Sequence, residues 1–148
     1  MIFVDTNVFM YAVGREHPLR EPARAFFLEH VESGEVLVTS AEVLQELMHA
    51  YLPVDRIDTL DSALALARGR MGTIWAVERE DVDLARALLE RHPGLGARDL
   101  LHLACCARRR IDRIQTYDRA LAARDERLTP PRTKRGRRQA GSASTGSG

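Results

Sequence analysis

The fold can be inferred from the stretch Met1-Ile2-Phe3-Val4-Asp5-Thr6-Asn7, which also contains an acidic residue of interest. The apolar run from Met1 to Val4 predicts a short strand that is buried on both faces. Asp5 follows at the carboxyl end of this strand, where ligands gather in open α/β sheets. Taken alone, Asp5 is better explained as a residue that caps the next turn or helix. Only acidic residues elsewhere in the chain can change that interpretation.

Length and composition indicate one globular domain. A chain of 148 residues can bury a sizeable core, and an apolar fraction of 45% is typical of globular proteins. No apolar run is long enough to cross a membrane. The first residues lack the basic region of a secretory signal and include Asp5. We therefore expect a cytoplasmic protein. The adjacent Cys105 and Cys106 have no zinc-binding spacing, so we expect two small buried side chains.

The charges are distributed unevenly along the chain. Residues 1–128 contain 17 basic and 21 acidic residues, a net charge of −4, whereas the last twenty residues contain five basic residues and no acidic one. From Pro130 onwards the composition shifts to Pro, Arg, Gly and Ser, which predicts a disordered basic tail at 130–148 after a domain at 1–129. An acidic domain with a basic tail indicates a cation site, a polyanionic partner, or both.

Strand-like and helix-like segments alternate along the domain. Short apolar runs at 35–39, 73–77 and 113–116 predict further strands, and the segments between them have helical spacing. This alternation predicts an α/β fold, with a short parallel β-sheet sandwiched by helices in three layers. Thr39 and Glu42 match a capping box at the start of the helix after the second strand. Residues 124–129 are a candidate for a last edge strand.

Four acidic residues fall where they could meet at one edge of that sheet: Asp5, Glu46, Asp99 and Asp118. Each follows a predicted strand or lies early in a predicted helix. Carboxylates gathered in one pocket repel each other unless a cation neutralises them, and a hard divalent ion such as Mg²⁺ or Mn²⁺ suits oxygen ligands. Such ions serve phosphoryl chemistry, where one prepares the water and a second, about 4 Å away, stabilises the leaving oxygen.

Each acidic residue also has a simpler individual explanation. Glu46 alone would be a solvated helix residue, and Glu42 competes for its role. Asp99 alone would be a favourable charge in the first turn of a helix, and Asp118 alone would be a turn residue or cap. His102 is better explained as a core or rim histidine than as a site residue. The arrangement of all four acidic residues together, rather than any one of them, favours function.

The sequence around these residues resembles a known family. The relevant blocks are Asp5-Thr6-Asn7 after an apolar strand, Val43-Leu44-Gln45-Glu46-Leu47 after Thr39-Ser40, Arg98-Asp99-Leu100-Leu101-His102-Leu103-Ala104, and Thr116-Tyr117-Asp118. In order and spacing they resemble the four signature blocks of PIN-domain ribonucleases, and in particular the VapC-type toxins of bacterial toxin–antitoxin pairs. The resemblance covers residues 1 to about 130 and does not extend to the tail.

The resemblance implies a PIN-like, Rossmannoid fold and a metal-dependent endoribonuclease. Carried over by position, Asp5, Glu46, Asp99 and Asp118 would be both the catalytic residues and the ligands of Mg²⁺ or Mn²⁺. Thr6 or Asn7, and Thr116, would be polar supports of the site. The family also implies an RNA substrate, a homodimer and an antitoxin that covers the site. Many relatives have a further acidic residue directly after the fourth, whereas Arg119 and Ala120 stand here, which places a second metal ion in doubt.

Three alternatives remain beside a toxin nuclease. A phosphatase of the haloacid-dehalogenase type also begins with Asp after a strand, but its second Asp would be at position 7, where Asn stands. A PIN-type nuclease could act in RNA maturation or on DNA. A catalytically silent PIN-like module could bind RNA or protein with the same α/β framework. Retention of all four acidic residues argues against the silent module.

Overall fold

The computed structural model describes the backbone of residues 1–125 and the side chains of residues 1–123. The predicted end of the domain at residue 129 and the predicted tail at 130–148 lie outside the described residues. The elements in chain order are β1 (Ile2–Val4), α1 (Thr6–Val13), α2 (Arg20–Ser33), β2 (Leu37–Ser40), α3 (Ala41–Tyr51), a 3₁₀ turn (Leu52–Val54), α4 (Ile57–Arg70), β3 (Thr73–Trp75), α5 (Arg79–Leu88), α6 (Ala97–Arg108), β4 (Ile114–Gln115) and α7 (Arg119–Asp125).

The four strands form one parallel sheet in the order β3-β2-β1-β4. Phe3 lies opposite Val38 of β2 and opposite Ile114 of β4, so the first strand is internal. All three residues of β1 are buried, as the sequence predicted. The parallel sheet between helices confirms the predicted fold class. Because all strands run in one direction, their carboxyl ends meet at one edge of the sheet.

The core is built on β1 and the helices that cover it. Phe3 and Val4 are fully buried, and Phe9 of α1, Leu47 of α3 and Leu103 of α6 are buried with them. Fully burying an apolar side chain of this size contributes about 1.5–3 kcal/mol relative to leaving it exposed. The end of β1 is therefore held from several sides, and Asp5 directly after it has little freedom to move.

Some local predictions need correction. Thr39 does not cap α3, because its hydroxyl donates to the carbonyl of Val4 at 2.8 Å, and Ser40 is the N-cap residue without a side-chain cap. This hydroxyl ties β2 to the carboxyl end of β1. Residues 124 and 125 belong to α7 rather than to an edge strand, and 126–129 are not among the described residues.

A buried ion-pair cluster joins α5 to α6. Asp81 is fully buried, and its carboxylate accepts from the guanidinium groups of Arg108 at 2.8 Å and Arg109 at 2.9 Å. The same carboxylate accepts from the backbone N–H of Glu78, which completes a capping box at the start of α5. The guanidinium of Arg109 also lies 4.8 Å from the ring centroid of Trp75. We call this group the Asp81 cluster.

Among the described residues, no helix is long and apolar enough to cross a membrane. Cys105 and Cys106 are both buried, as predicted.

Candidate metal centre at the carboxyl edge of the sheet

The four predicted acidic residues line one cleft of about 470 Å³ at the carboxyl edge of the sheet. Asp5 follows β1, and Asp118 lies shortly after β4. Glu46 comes from the middle of α3, and Asp99 from the first turn of α6. Residues separated by more than a hundred positions therefore meet at one place. Glu42, the competitor on α3, is not among the residues that line this cleft.

Asp5 is buried and held by hydrogen bonds to both carboxylate oxygens. Its Oδ1 accepts from the backbone N–H of Thr6 at 2.7 Å. Its Oδ2 accepts from the hydroxyl of Thr116 at 2.6 Å and from the side-chain amide of Asn7 at 3.1 Å. Asn7 also accepts from the backbone N–H of Tyr117, which ties the start of α1 to the segment after β4. The carboxylate of Asp5 is thus fixed in one orientation.

Glu46 is buried next to Asp5 and meets a histidine there. Its Oε2 accepts from the hydroxyl of Thr6 at 2.8 Å, and its Oε1 lies 2.8 Å from Nε2 of His102. The same Nε2 is 3.6 Å from Oδ1 of Asp5. His102 is only 1% exposed, and its ring stacks at a tilt against Phe3 with centroids 5.3 Å apart. The imidazole therefore lies in the core, in contact with two of the carboxylates that line the cleft.

Asp99 and Asp118 lie on the open side of the cleft. Asp99 is half-buried and forms no hydrogen bond or ion pair within the described residues, whereas Asp118 is exposed. Asp118 caps α7, because its Oδ1 accepts from the backbone N–H groups of Ala120 and Leu121 at 2.8 and 3.0 Å. Its own backbone N–H donates to the hydroxyl of Thr116. The capping explanation of Asp118 and its place in the cleft are compatible.

The cleft accumulates negative charge that the chain neutralises only in part. Burial raises the pKa of Asp5 despite the favourable contacts with His102 and Thr116. Burial also raises the pKa of Asp99, and repulsion from Asp118, Asp5 and Glu46 adds to this. For Glu46, burial is outweighed by His102 and Thr6, which lower its pKa. Within the described side chains, none of the four carboxylates forms an ion pair with an arginine.

The donor atoms fit a divalent cation. One ligand atom each from Asp5, Glu46 and His102 lie within 4.8 Å of one another. Oε1 of Glu46 and both ring nitrogens of His102 are buried without an aligned hydrogen bond to the described part of the chain. Buried polar atoms of this kind are costly unless a ligand satisfies them. Carboxylate and imidazole donors together suit Mg²⁺ less well than Mn²⁺ or another transition metal ion.

His102 was missed as a site residue by the sequence reasoning. It lies three residues after Asp99, so both side chains fall on the same side of α6. A histidine within an otherwise apolar helix face is usually a core residue, and His102 is indeed buried. It differs from an ordinary core histidine because it contacts the carboxylates of Asp5 and Glu46, which belong to other parts of the chain. These contacts can be seen only in the folded structure.

Comparison with known proteins agrees with this architecture. A sequence model of the PIN domain matches residues 2–127. Ribonuclease VapC23 of Mycobacterium tuberculosis is 64% identical over 123 residues, which cover 83% of this chain and 97% of that protein. The crystal structure of VapC20 from M. tuberculosis, a sarcin-ricin loop cleaving toxin, superposes with a TM-score of 0.69 at 19% identity and covers 83% of this chain and 94% of that one.

A second solved structure, VapBC2 from Rickettsia felis bound to a promoter DNA fragment, superposes with a TM-score of 0.60 at 20% identity, over 80% of this chain and 88% of that chain. The fold and the acidic cleft define a PIN-type α/β protein. The chain belongs to the PIN-domain family, and its similarity is to the VapC ribonucleases. This confirms the family that the four sequence blocks indicated.

Proposed function

We propose that this protein is a metal-dependent endoribonuclease and the toxin of a toxin–antitoxin pair. The observation that carries the proposal is the cleft, where four carboxylates converge beside a buried histidine and none of them forms an ion pair with an arginine of the described residues. The 64% identity to a VapC ribonuclease supports RNA as the substrate.

The proposed metal ligands are Asp5, Glu46, Asp99 and Asp118, with Mg²⁺ or Mn²⁺ as the ion. Asp5 and Glu46 form the buried half of the site, where ligand atoms of Asp5, Glu46 and His102 lie within 4.8 Å of one another and so support the fit. Asp99 and Asp118 face the opening, where a substrate phosphate enters. These four acidic residues are the catalytic set. Thr6, Asn7 and Thr116 act as supports, because their hydrogen bonds fix the carboxylates of Asp5 and Glu46.

The chain's own groups account for positioning and charge. When bound, a divalent ion supplies the Lewis acidity that favours in-line attack of water on a phosphodiester. Asp5 keeps its orientation because both of its oxygens are hydrogen-bonded. Asp99 lies at the cleft opening, where its carboxylate would complete the ligand set on the side from which a substrate phosphate enters. Arg98 lines the same cleft without an ion pair among the described side chains, so it can donate to a phosphate oxygen.

Cleavage of total cellular RNA tests the proposal. The parent protein and Asp5→Asn are compared with Mg²⁺, with Mn²⁺ and with a chelator. We expect cleavage by the parent only with metal, and a loss of roughly a hundredfold or more in Asp5→Asn, since even an outer partner of a ligand contributes 10–100-fold. Asp112→Asn is the matched control, because Asp112 is exposed and outside the cleft. Equal cleavage by Asp5→Asn and the parent would show that the site is wrong.

Two other functions are separable from this one. A silent PIN-like module would bind no Mn²⁺ through its carboxylates in a calorimetric titration. A nuclease of RNA maturation or of DNA would cleave its substrate but would not arrest growth on expression. Growth arrest that is relieved by an adjacent small gene supports the toxin.

The proposed protein partners are an antitoxin that covers the cleft and a second copy of this chain, in the cytoplasm. Membership of the PIN-domain family and the 64% identity to a VapC ribonuclease support an antitoxin partner. Val82 of α5 is 52% exposed beside an apolar groove formed by Ala85, Leu89 and Leu101, which supports a contact there between copies. Val82→Glu is expected to convert a dimer to a monomer in light scattering, and a parent that is already monomeric contradicts the dimer.

We also propose that residues 1–129 form the nuclease unit and that the basic segment 130–148 strengthens RNA binding through phosphate contacts. The family match at 2–127 supports the first part. Deletion of 130–148 is expected to leave metal-dependent cleavage intact and to reduce the salt dependence of RNA binding. An unchanged salt dependence would remove the second part.

A further inference from the structure

A second pocket lies beside the acidic cleft and shares two residues with it. Asn7 and Met10 of α1 line both spaces. The second pocket continues along α1 to Tyr11 and is closed by the segment after that helix, with Arg15 and His17, and by Arg56 before α4. We call this space the Tyr11 pocket. Because the two spaces share Asn7 and Met10, the Tyr11 pocket adjoins the acidic cleft along α1.

The Tyr11 pocket presents an aromatic surface. The ring of Tyr11 lies 4.6 Å from that of His17 at an interplanar angle of 32°, and 5.6 Å from that of Tyr117 in an edge-on arrangement. Tyr11 is half-buried, so its ring is fixed by neighbours while part of it faces the pocket. Stacking on a fixed aromatic ring is the usual way in which proteins hold unpaired bases of single-stranded nucleic acid.

The side chains that line the pocket also carry a net positive charge. Arg15 and Arg56 form no ion pair within the described residues, although Arg24, Arg86, Arg108, Arg109 and Arg113 all do. The guanidinium of Arg56 is nevertheless positioned, because it donates to the hydroxyl of Thr59 at 3.3 Å and lies over the ring of Tyr51. Glu16, also in the lining, leaves the pocket with two positive and one negative side chain. A carboxylate cleft repels phosphates, so flanking cations are needed to hold the substrate backbone.

We propose that the Tyr11 pocket binds the nucleotide next to the cleaved phosphate, with its base against Tyr11 and its phosphate at Arg15 and Arg56. The inference rests on the proposed function as a ribonuclease. Tyr11 lies four residues after Asn7, which is about 6 Å along a helix, so a strand whose phosphate lies at the carboxylates reaches the ring with its adjacent nucleoside. The pocket therefore selects single-stranded RNA, because a paired base cannot stack on Tyr11.

The test is binding of a fluorescent ten-nucleotide single-stranded RNA of mixed sequence to the full chain in chelator, where no cleavage is expected. Tyr11→Ala should weaken binding roughly tenfold, because it removes the ring against which one base stacks. Tyr11→Phe should bind within about twofold of the parent, since the ring is kept. Arg15→Ala and Arg56→Ala should each lower the salt slope by about one. Arg68→Ala, at an exposed position of α4 outside this pocket, is the matched control.

The outcomes are distinguishable. If Tyr11→Ala unfolds, the exposed Arg15 still tests the pocket, and Arg15→Glu should weaken binding more than Arg15→Ala. The proposal is overturned if Arg15 and Arg68 variants behave alike, or if Tyr11→Phe loses as much affinity as Tyr11→Ala. Cleavage by the parent with Mn²⁺ is measured in parallel. A parent that cleaves RNA while the pocket variants bind normally removes the pocket and leaves the nuclease, whereas a parent that neither binds nor cleaves RNA removes both.

Discussion

The chain buries carboxylates in two places and treats them in opposite ways. In the Asp81 cluster, two arginines donate to one fully buried carboxylate, and they and the backbone N–H of Glu78 hold the pKa of Asp81 down to about 2 against the effect of burial. In the cleft, Asp5 and Asp99 have raised pKa values, and no arginine within the described residues pairs with either. The carboxylate of the Asp81 cluster is therefore paired with cations, whereas those of Asp5 and Asp99 in the cleft have no arginine partner in the described part of the chain.

This difference separates a structural acid from a functional one. A buried ion pair with satisfied hydrogen bonds links two helices and needs nothing more. Carboxylates that repel each other without a cation lower stability, and a fold retains them when a ligand supplies the missing charge. On the buried side, Nε2 of His102 lies 2.8 Å from Oε1 of Glu46, and this contact lowers the pKa of Glu46. On the open side, Asp99 and Asp118 have no cationic partner among the described side chains, and we propose that a metal ion supplies the positive charge there.

The largest expected effect is stabilisation by metal. A ligand at a hundred times its dissociation constant raises the free energy of unfolding by about 2.7 kcal/mol. Titration of the parent with Mn²⁺ should therefore raise its melting temperature, and Glu46→Gln should abolish the rise. Asp81→Asn should retain the full rise from its own lower starting point. If Mn²⁺ no longer raises the melting temperature of Asp81→Asn but still raises that of Glu46→Gln, then the Asp81 cluster, and not the cleft, would be the metal site.

The second largest expected effect is a decrease in the free energy of unfolding caused by Asp81→Asn. The substitution removes charged hydrogen bonds from Arg108 and Arg109, and such bonds typically contribute about 2 kcal/mol. Chemical denaturation at neutral pH measures the loss. Asp83→Asn on the exposed side of the same helix is the control, and we expect almost no change in it.

The pH dependence of this loss has a definite sign. The pKa of Asp81 is lowered from 3.8 to about 2 in the folded protein, so its contribution to stability is present above 3.8 and disappears as the pH falls from there towards 2. The stability difference between the parent and Asp81→Asn should therefore narrow across that interval. A difference that stays constant on acidification would mean that the charge of Asp81 contributes little.

Much of this architecture could be predicted from the sequence. The apolar run before Asp5 and the regular alternation of elements predicted an internal first strand in a parallel sheet, and direction alone then placed Asp5 and Asp118 at one edge. Glu46 and Asp99 could be placed because their helices begin at that edge. These predictions depend on local pattern and on chain direction, both of which a single sequence contains.

The parts that could not be predicted depend on distant partners. Thr39 matched a local capping motif, but the carbonyl of Val4, 35 residues earlier, takes its hydrogen bond in the folded chain. His102 matched a core position, and only the folded chain brings Glu46 of α3 to within 2.8 Å of its Nε2. Arginines at the end of a helix are usually solvated, whereas Asp81 of another helix binds both Arg108 and Arg109. In each case a tertiary contact replaced the local preference of the residue.

The smallest expected effect is the change in stability caused by Asp99→Asn. Its sign should depend on metal, and this distinguishes the cleft from the Asp81 cluster. Asp99 is half-buried, and its pKa is raised by burial and by the neighbouring carboxylates, so its charge destabilises the metal-free protein. Asp99→Asn should therefore stabilise the protein in chelator by about 0.5 kcal/mol, a value typical of partly exposed charge interactions. With saturating Mn²⁺ the sign should reverse, because the variant has lost a ligand and gains less from the ion. Asp81→Asn should be destabilising in both conditions. An Asp99→Asn variant that is destabilised even in chelator would place Asp99 among the structural acids of the chain.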